Sequence, residues 1–159
     1  MAVPAAEGYA RHMGETRKRG TRPDFTPGWE FGTLPEAEVL RRGAELFDSG
    51  RLWEAHEVWE EVWRRRAGRG DRDFLKGIIQ AAAGMWHATQ GNMVGAVSVM
   101  SRAVDYLEPF RPAREGFDVD GLSASLDLAI AACRDAQASG RAPDLPVART
   151  GLHGAKDAS

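Results

Sequence analysis

Gly77, Gly84 and Gly91 recur at seven-residue intervals through the stretch RDFLKGIIQAAAGMWHATQG, with Ala81 and Ala88 between them on the same helical stripe. Inside a helix each glycine costs ~1 kcal/mol relative to alanine, so a stripe of them needs a compensating contact. Close approach of a second backbone supplies one. Phe74, Ile78, Ala82 and Met85 cover the adjoining arc, and Leu75, Ile79 and Trp86 widen it further. A helix that is apolar nearly all round has to be buried. The chain is therefore read as a helical bundle built around this third helix, with its N-cap at Asp71.

The neighbouring segments carry the matching period. Thr33 and Glu36 fit a capping box that opens a first helix. Leu40, Ala44 and Phe47, with Val39 and Leu46, form its inward stripe, and Gly50 suits the left-handed position that ends it. The second helix, RLWEAHEVWEEVW from Arg51 to Trp63, holds three of the five tryptophans. Stepped at ~100° per residue, it places Leu52, Ala55, Val58, Trp59, Val62 and Trp63 on one arc. Glu54, Glu57, Glu61 and Arg64 fall opposite. Arg64 to Arg66 follow at the negative end of the helix dipole, where cations are favoured, so the run needs no phosphate ligand. Asn92 is the N-cap expected for a fourth helix with Met93, Val97, Met100, Val104 and Leu107 inward, ended by Pro109. A fifth runs from about Gly121 to Ala138, with Leu122, Leu126, Ile130 and Cys133 inward and Gly140 closing it. Gly50–Ala55 and Gly91–Ala96 share the Gly-x-x-x-x-Ala of a degenerate tetratricopeptide unit. Two units are too few for a solenoid, but they favour helix hairpins packed side by side.

The expected fold class is thus all-α, a compact bundle of about five antiparallel helices over residues 33–140. Residues 1–32 read as an irregular N-terminal extension in which Phe25, Trp29 and Phe31 fold back on the helices. Residues 141–159, with two prolines and little apolar content, read as a disordered tail. A length of 159 residues and 43% hydrophobic content suit one domain with a real core. A net charge of −2 argues against a general nucleic-acid or anionic-membrane binder. The basic stretch Arg17 to Arg22 is flanked by Glu15 and Asp24 and is read as solvated. The longest apolar run, Ile78 to Trp86, falls short of the ~20 residues a membrane span needs. One cysteine, Cys133, excludes an internal disulfide and, with no apolar leader at the start, suggests a cytoplasmic protein.

Two polar pairs interrupt the apolar faces. His56 and Glu60, four apart and hence neighbours on the second helix, lie between Trp53 and Trp63. Gln80 and His87 share a face of the third helix beside the glycine stripe. Dry, unpartnered groups of this kind cost several kcal/mol, so the four are expected to meet between the two helices. The ligand-binding set is His56, Glu57, Glu60, Gln80, His87 and Trp53. Imidazole and carboxylates suit a divalent metal such as zinc, with His56, Glu60 and His87 as ligands. A buried hydrogen-bond network and metal-free acid–base catalysis are the other two readings. HEVWE is not HExxH, and there is no Gly-rich phosphate loop, CxxC pair or GxSxG.

The succession LFDSGRLWEAHEVWEEVWR, FLKGIIQAAAGMWH and GNMVGA, from Leu34 to Leu107, resembles a bacterial and archaeal family called domain of unknown function 309. The motifs EAHEVWE, FLKGIIQ with its following histidine, and GNMVGA carry the likeness in order and spacing. The resemblance implies a compact helical bundle and brings His56, Glu57, Trp59, Glu60, Gln80 and His87 into correspondence with family positions. It implies no reaction. The functional expectation is a small interaction or ligand-binding module with a polar pocket between helices two and three. A metal-dependent hydrolase-like enzyme using His56, Glu57, Glu60 and His87 is the alternative. A homo-oligomer stays open as a partner.

Overall fold

The structure, a computed structural model, describes Pro27, residues 30–66 and residues 72–152. After a single turn at Glu30–Thr33 come α1 (Glu36–Asp48), α2 (Leu52–Arg65), α3 (Arg72–Thr89), α4 (Met93–Leu107) and α5 (Val119–Ser139). A two-stranded hairpin, β1 (Ala113–Arg114) and β2 (Phe117–Asp118), lies between α4 and α5. Each helix packs on its neighbours in sequence, as the short turns at 49–51 and 90–92 require, and α3 also touches α5. No helix among the described residues is long and apolar enough to cross a membrane.

The glycine stripe splits into two roles. Gly77 and Gly84 are buried on α3. A Cβ on Gly84 would stand 2.4 Å from Met100 Cγ and 3.0 Å from the Met100 backbone nitrogen, and one on Gly77 would stand 2.6 Å from Leu107 Cδ2. These two let α4 lie against α3. Gly91 instead lies past the end of α3 with φ +79°, a left-handed conformation that favours glycine. Asn92 then caps α4, its side-chain oxygen accepting from the Gly95 N–H at 3.0 Å.

Trp59 joins α1 to α2. It is fully buried, its Nε1 donates to the Leu40 carbonyl at 3.1 Å, and a Cβ on Gly43 would meet its ring at 2.2 Å. Gly50, at φ +83°, turns α1 into α2, with the Arg51 N–H on the Leu46 carbonyl at 2.8 Å. Helix α1 starts at Glu36 rather than just after Thr33, because Pro35 disfavours helical backbone at Leu34 before it; Pro35 itself stands at the N-cap and makes no side-chain capping bond. The expected N-cap Asp71, together with Phe25 and Trp29, lies outside the described residues. Phe31 is half-buried against the core, with the Arg42 guanidinium 5.8 Å from its ring.

Three further features depart from the sequence reading. Glu54, expected on the outer face, is 4% exposed and accepts from Arg51 Nε at 3.2 Å. Lying between α1 and α3, α2 buries a wider arc than its apolar residues alone define. Arg66 is buried too, and its role goes beyond the helix dipole: it donates to Glu36 at 2.7 Å and to both Glu115 oxygens at 3.0 and 2.6 Å. The start of α1, the end of α2 and the hairpin turn are thereby tied together. Lastly, the segment from Arg141, read from composition as disordered, is anchored over its described part, 141–152. Thr150 is fully buried there, its N–H and Oγ1 donating to the two Asp48 carboxylate oxygens at 2.8 and 3.0 Å.

On the surface of α1, Glu38 accepts hydrogen bonds from Arg41 and Arg42. The Arg41 hydrogen bond foremost holds its carboxyl low, from 4.5 to about 2, against burial, the next-largest effect, which raises it; Arg42 adds to the lowering. A depressed folded pKa means stabilisation present above the unfolded value and lost as pH falls through the folded one. Between about pH 5 and about pH 2 the wild type should therefore lose more stability in thermal melts than Glu38→Gln; parallel losses would contradict this. Gly84→Leu should destabilise by ~1–3 kcal/mol in urea melts through overpacking against Met100, and a neutral result would disprove the close α3–α4 contact.

Candidate functional site: a histidine and two glutamates on α2

The rotation of α2 decides what the site contains. With Trp59, Val58 and Val62 turned fully inward, the flank holding His56, Glu60 and Trp63 faces the seam between α2 and α3. Trp53 and Trp63 bracket it. Trp53, 6% exposed, stacks on the His56 imidazole with centroids 4.4 Å apart and planes at 18°. It also packs against Trp86 of α3 at 4.9 Å. At the other end the Arg72 guanidinium lies 3.6 Å from the centre of the Trp63 ring, a cation–π contact that joins the start of α3 to the end of α2.

Between these rings, His56 Nδ1 stands 3.4 Å from Glu57 Oε1 and 3.6 Å from Glu60 Oε1. One donor atom from each of the three residues lies within 4.8 Å of the others, the one such His/Cys/Asp/Glu grouping among the described residues. The histidine side chain is 14% exposed, and those of Glu57 and Glu60 are 22% and 32% exposed. Both separations exceed the ~2.7–3.2 Å of a strong hydrogen bond. They are close to the spacing of about 3.4 Å between ligand atoms that each sit ~2.1 Å from one tetrahedral ion. Arg64 Nη1 lies on Glu61 at 2.7 Å, and its Nη2 reaches Glu60 at 3.9 Å. Two carboxylates thus face one imidazole whose ring plane is fixed by an indole, an arrangement suited to a small cation.

Of the sequence-derived set, His56, Glu57, Glu60 and Trp53 come together. His87 does not join the donor group. It is half-buried near the end of α3, its ring edge-on to Trp86 at 5.2 Å and its Nδ1 3.4 Å from the Asn92 side-chain nitrogen. A row of rings, His56–Trp53–Trp86–His87, therefore separates the two histidines. Gln80 is half-buried on α3. Glu57, absent from the expected metal ligands, belongs to the donor group because a glutamate side chain is long enough to swing ~100° round the helix to its neighbour.

Comparison with known proteins agrees with the motif reading. Residues 40–99 match the model of a family described as Domain of unknown function (DUF309). That span runs from within α1 to within α4 and contains all three cluster residues, so the likeness read from EAHEVWE, FLKGIIQ and GNMVGA is borne out there. An uncharacterized protein of Aquifex aeolicus (strain VF5) is 28% identical over 74 residues, which make up 46% of this chain and 22% of that protein. The chain thus matches less than a quarter of that relative's length.

The packing of the tryptophans makes a prediction. Trp59→Ala and Trp53→Ala should each destabilise by ~3–5 kcal/mol, the range for buried aromatics. Only Trp53→Ala should also shift the His56 ring resonances in nuclear magnetic resonance spectra, since Trp53 alone stacks on that ring. Unmoved His56 resonances would contradict the stacking.

Proposed function

We propose that this protein is a small helical ligand-binding module whose ligand is a divalent cation of the zinc class, held by His56, Glu57 and Glu60. The observation that carries the reading is the donor spacing: one imidazole nitrogen and two carboxylate oxygens of one helix mutually within 4.8 Å. Three points support it. The donors are a borderline nitrogen and hard oxygens, which zinc and manganese accept. The imidazole is held by a stacked indole, so little ordering remains to be done on binding. The rigid support is an α2 whose opposite face is buried core. Three protein donors leave room at a four-coordinate ion for water or a second ligand, and this reading assigns no reaction to that position. His87 and Gln80 take no part in it.

Titration of the metal-free full chain with zinc chloride tests the proposal. The wild type should take up one equivalent, and His56→Ala and Glu60→Gln should each weaken binding by at least about tenfold, the scale already seen when a group that only supports a metal ligand is lost, with an unchanged helical circular dichroism spectrum. His87→Ala should bind as the wild type does. Binding should also weaken as pH falls, because the donors must be deprotonated. No uptake by the wild type, or equal uptake by His56→Ala, contradicts the proposal.

A further inference from the structure

Helix α5 carries two patterns. Its inward side is centred on Leu126 and Cys133, both fully buried. On the opposite side Ala124, Leu128, Ala131, Asp135 and Ala138 are all exposed, Leu128 by 63%. Their spacing alternates four and three residues, the period that keeps one face of a helix turned toward a second helix in a coiled coil. No described part of the chain covers that face, so Leu128 forgoes the gain that burial would bring. Alanine on either side of it keeps the face shallow and lets a second helix lie close, with Leu128 as its one large knob.

Beside this seam stand Asp127 and Arg134, exposed and one heptad apart. Several other surface charges are paired with a near neighbour in the chain, as Glu61 is with Arg64 and Glu108 with Arg111. Asp127 and Arg134 make no ion pair among the described residues, and seven residues of helix hold them ~10 Å apart along its axis. A two-fold axis brings them a partner. When two copies of α5 run antiparallel with Leu128 set against Ala131 of the second copy, Ala124 falls against Asp135 of that copy. Asp127 then lies between the same two layers as Arg134 of the second copy, and the symmetry repeats the contact. A parallel pair would set Asp127 against Ala132 and leave both charges unpaired. We infer that the outer face of α5 is a dimerisation surface whose partner is a second copy of this chain, joined antiparallel through Leu128 and Ala131 and held in register by two Asp127–Arg134 pairs. One helix pair is at the small end of specific interfaces, so the dimer forms and dissociates with concentration. The His56 cluster lies on α2, which packs on α1 and α3, and the dimer therefore stands or falls independently of the cation reading.

Sedimentation equilibrium of the full chain tests this, at low salt so that exposed charge pairs are not screened. Between about 10 μM and about 1 mM the wild type should shift from monomer toward dimer. Asp127→Arg and Arg134→Asp should each weaken self-association at least about tenfold, because each sets like charges against one another at both ends of the seam. Both positions are exposed, and the helical circular dichroism of each variant should be that of the wild type. An equimolar mixture of the two variants should associate as the wild type does, since one copy then presents two arginines to the two aspartates of the other. A wild type that stays monomeric up to about 1 mM, or a mixture that associates no more than either variant alone, overturns the proposal.

Discussion

The close passage of α4 over α3 is the contact on which the remaining packing depends. It exists because residues 77 and 84 lack a Cβ: Met100 and Leu107 occupy the space such atoms would fill. That approach uses up one flank of α3 and so fixes the helix's rotation about its axis. The face carrying Trp86 is thereby turned toward α2, where it meets Trp53. Trp53 in turn holds the His56 ring. The geometry of the candidate site is therefore set partly by glycines on another helix, through two indoles.

The second structural anchor acts from the other side. Trp59, bonded to the Leu40 carbonyl and seated over Gly43, locks α2 on α1, while Phe117 of the hairpin packs on Trp59 and Phe74. Arg66 ties the same hairpin to both helices through Glu36 and Glu115. Helix α2 is thus held at its middle and its end, and the His56–Glu60 flank between Trp53 and Trp63 is the part left at the half-exposed seam. Rigid support with a polar edge is what a preformed binding site requires.

Much of this was legible in the chain. Gly50 and Asn92 marked their turns, the tryptophan pattern gave the inward face of α2, and the i, i+4 pair His56–Glu60 pointed to the site. What failed has a physical reason in each case. Because α3 is apolar almost all round, its own pattern could not say which way Gln80 and His87 face; that depended on the α4 contact. The capping box at Thr33–Glu36 ignored Pro35 between its members. The hairpin was hidden in a Pro-rich linker, although Glu115-Gly116, with φ of +50° and +85°, is a two-residue turn of the kind that favours glycine. Arg66 looked like a surface charge because its partners lie 30 and 49 residues away in sequence, and Glu54 because the packing of α1 and α3 on both sides of α2 does not show in the period of that helix alone. The composition of the tail concealed Thr150, whose burial depends on one carboxylate at the far end of α1.

The central claim, that the three α2 residues and not the paired histidines of α2 and α3 hold a cation, can be tested on the imidazole rings directly. Long-range proton–nitrogen correlation spectra of the nitrogen-15-labelled full chain resolve the ring nitrogens of its four histidines. On addition of one equivalent of zinc, one ring nitrogen of His56 should shift to the position of a metal-bound imidazole while the His87 ring is unchanged. A His87 resonance that moves with it, or a His56 ring that does not respond, would contradict the account.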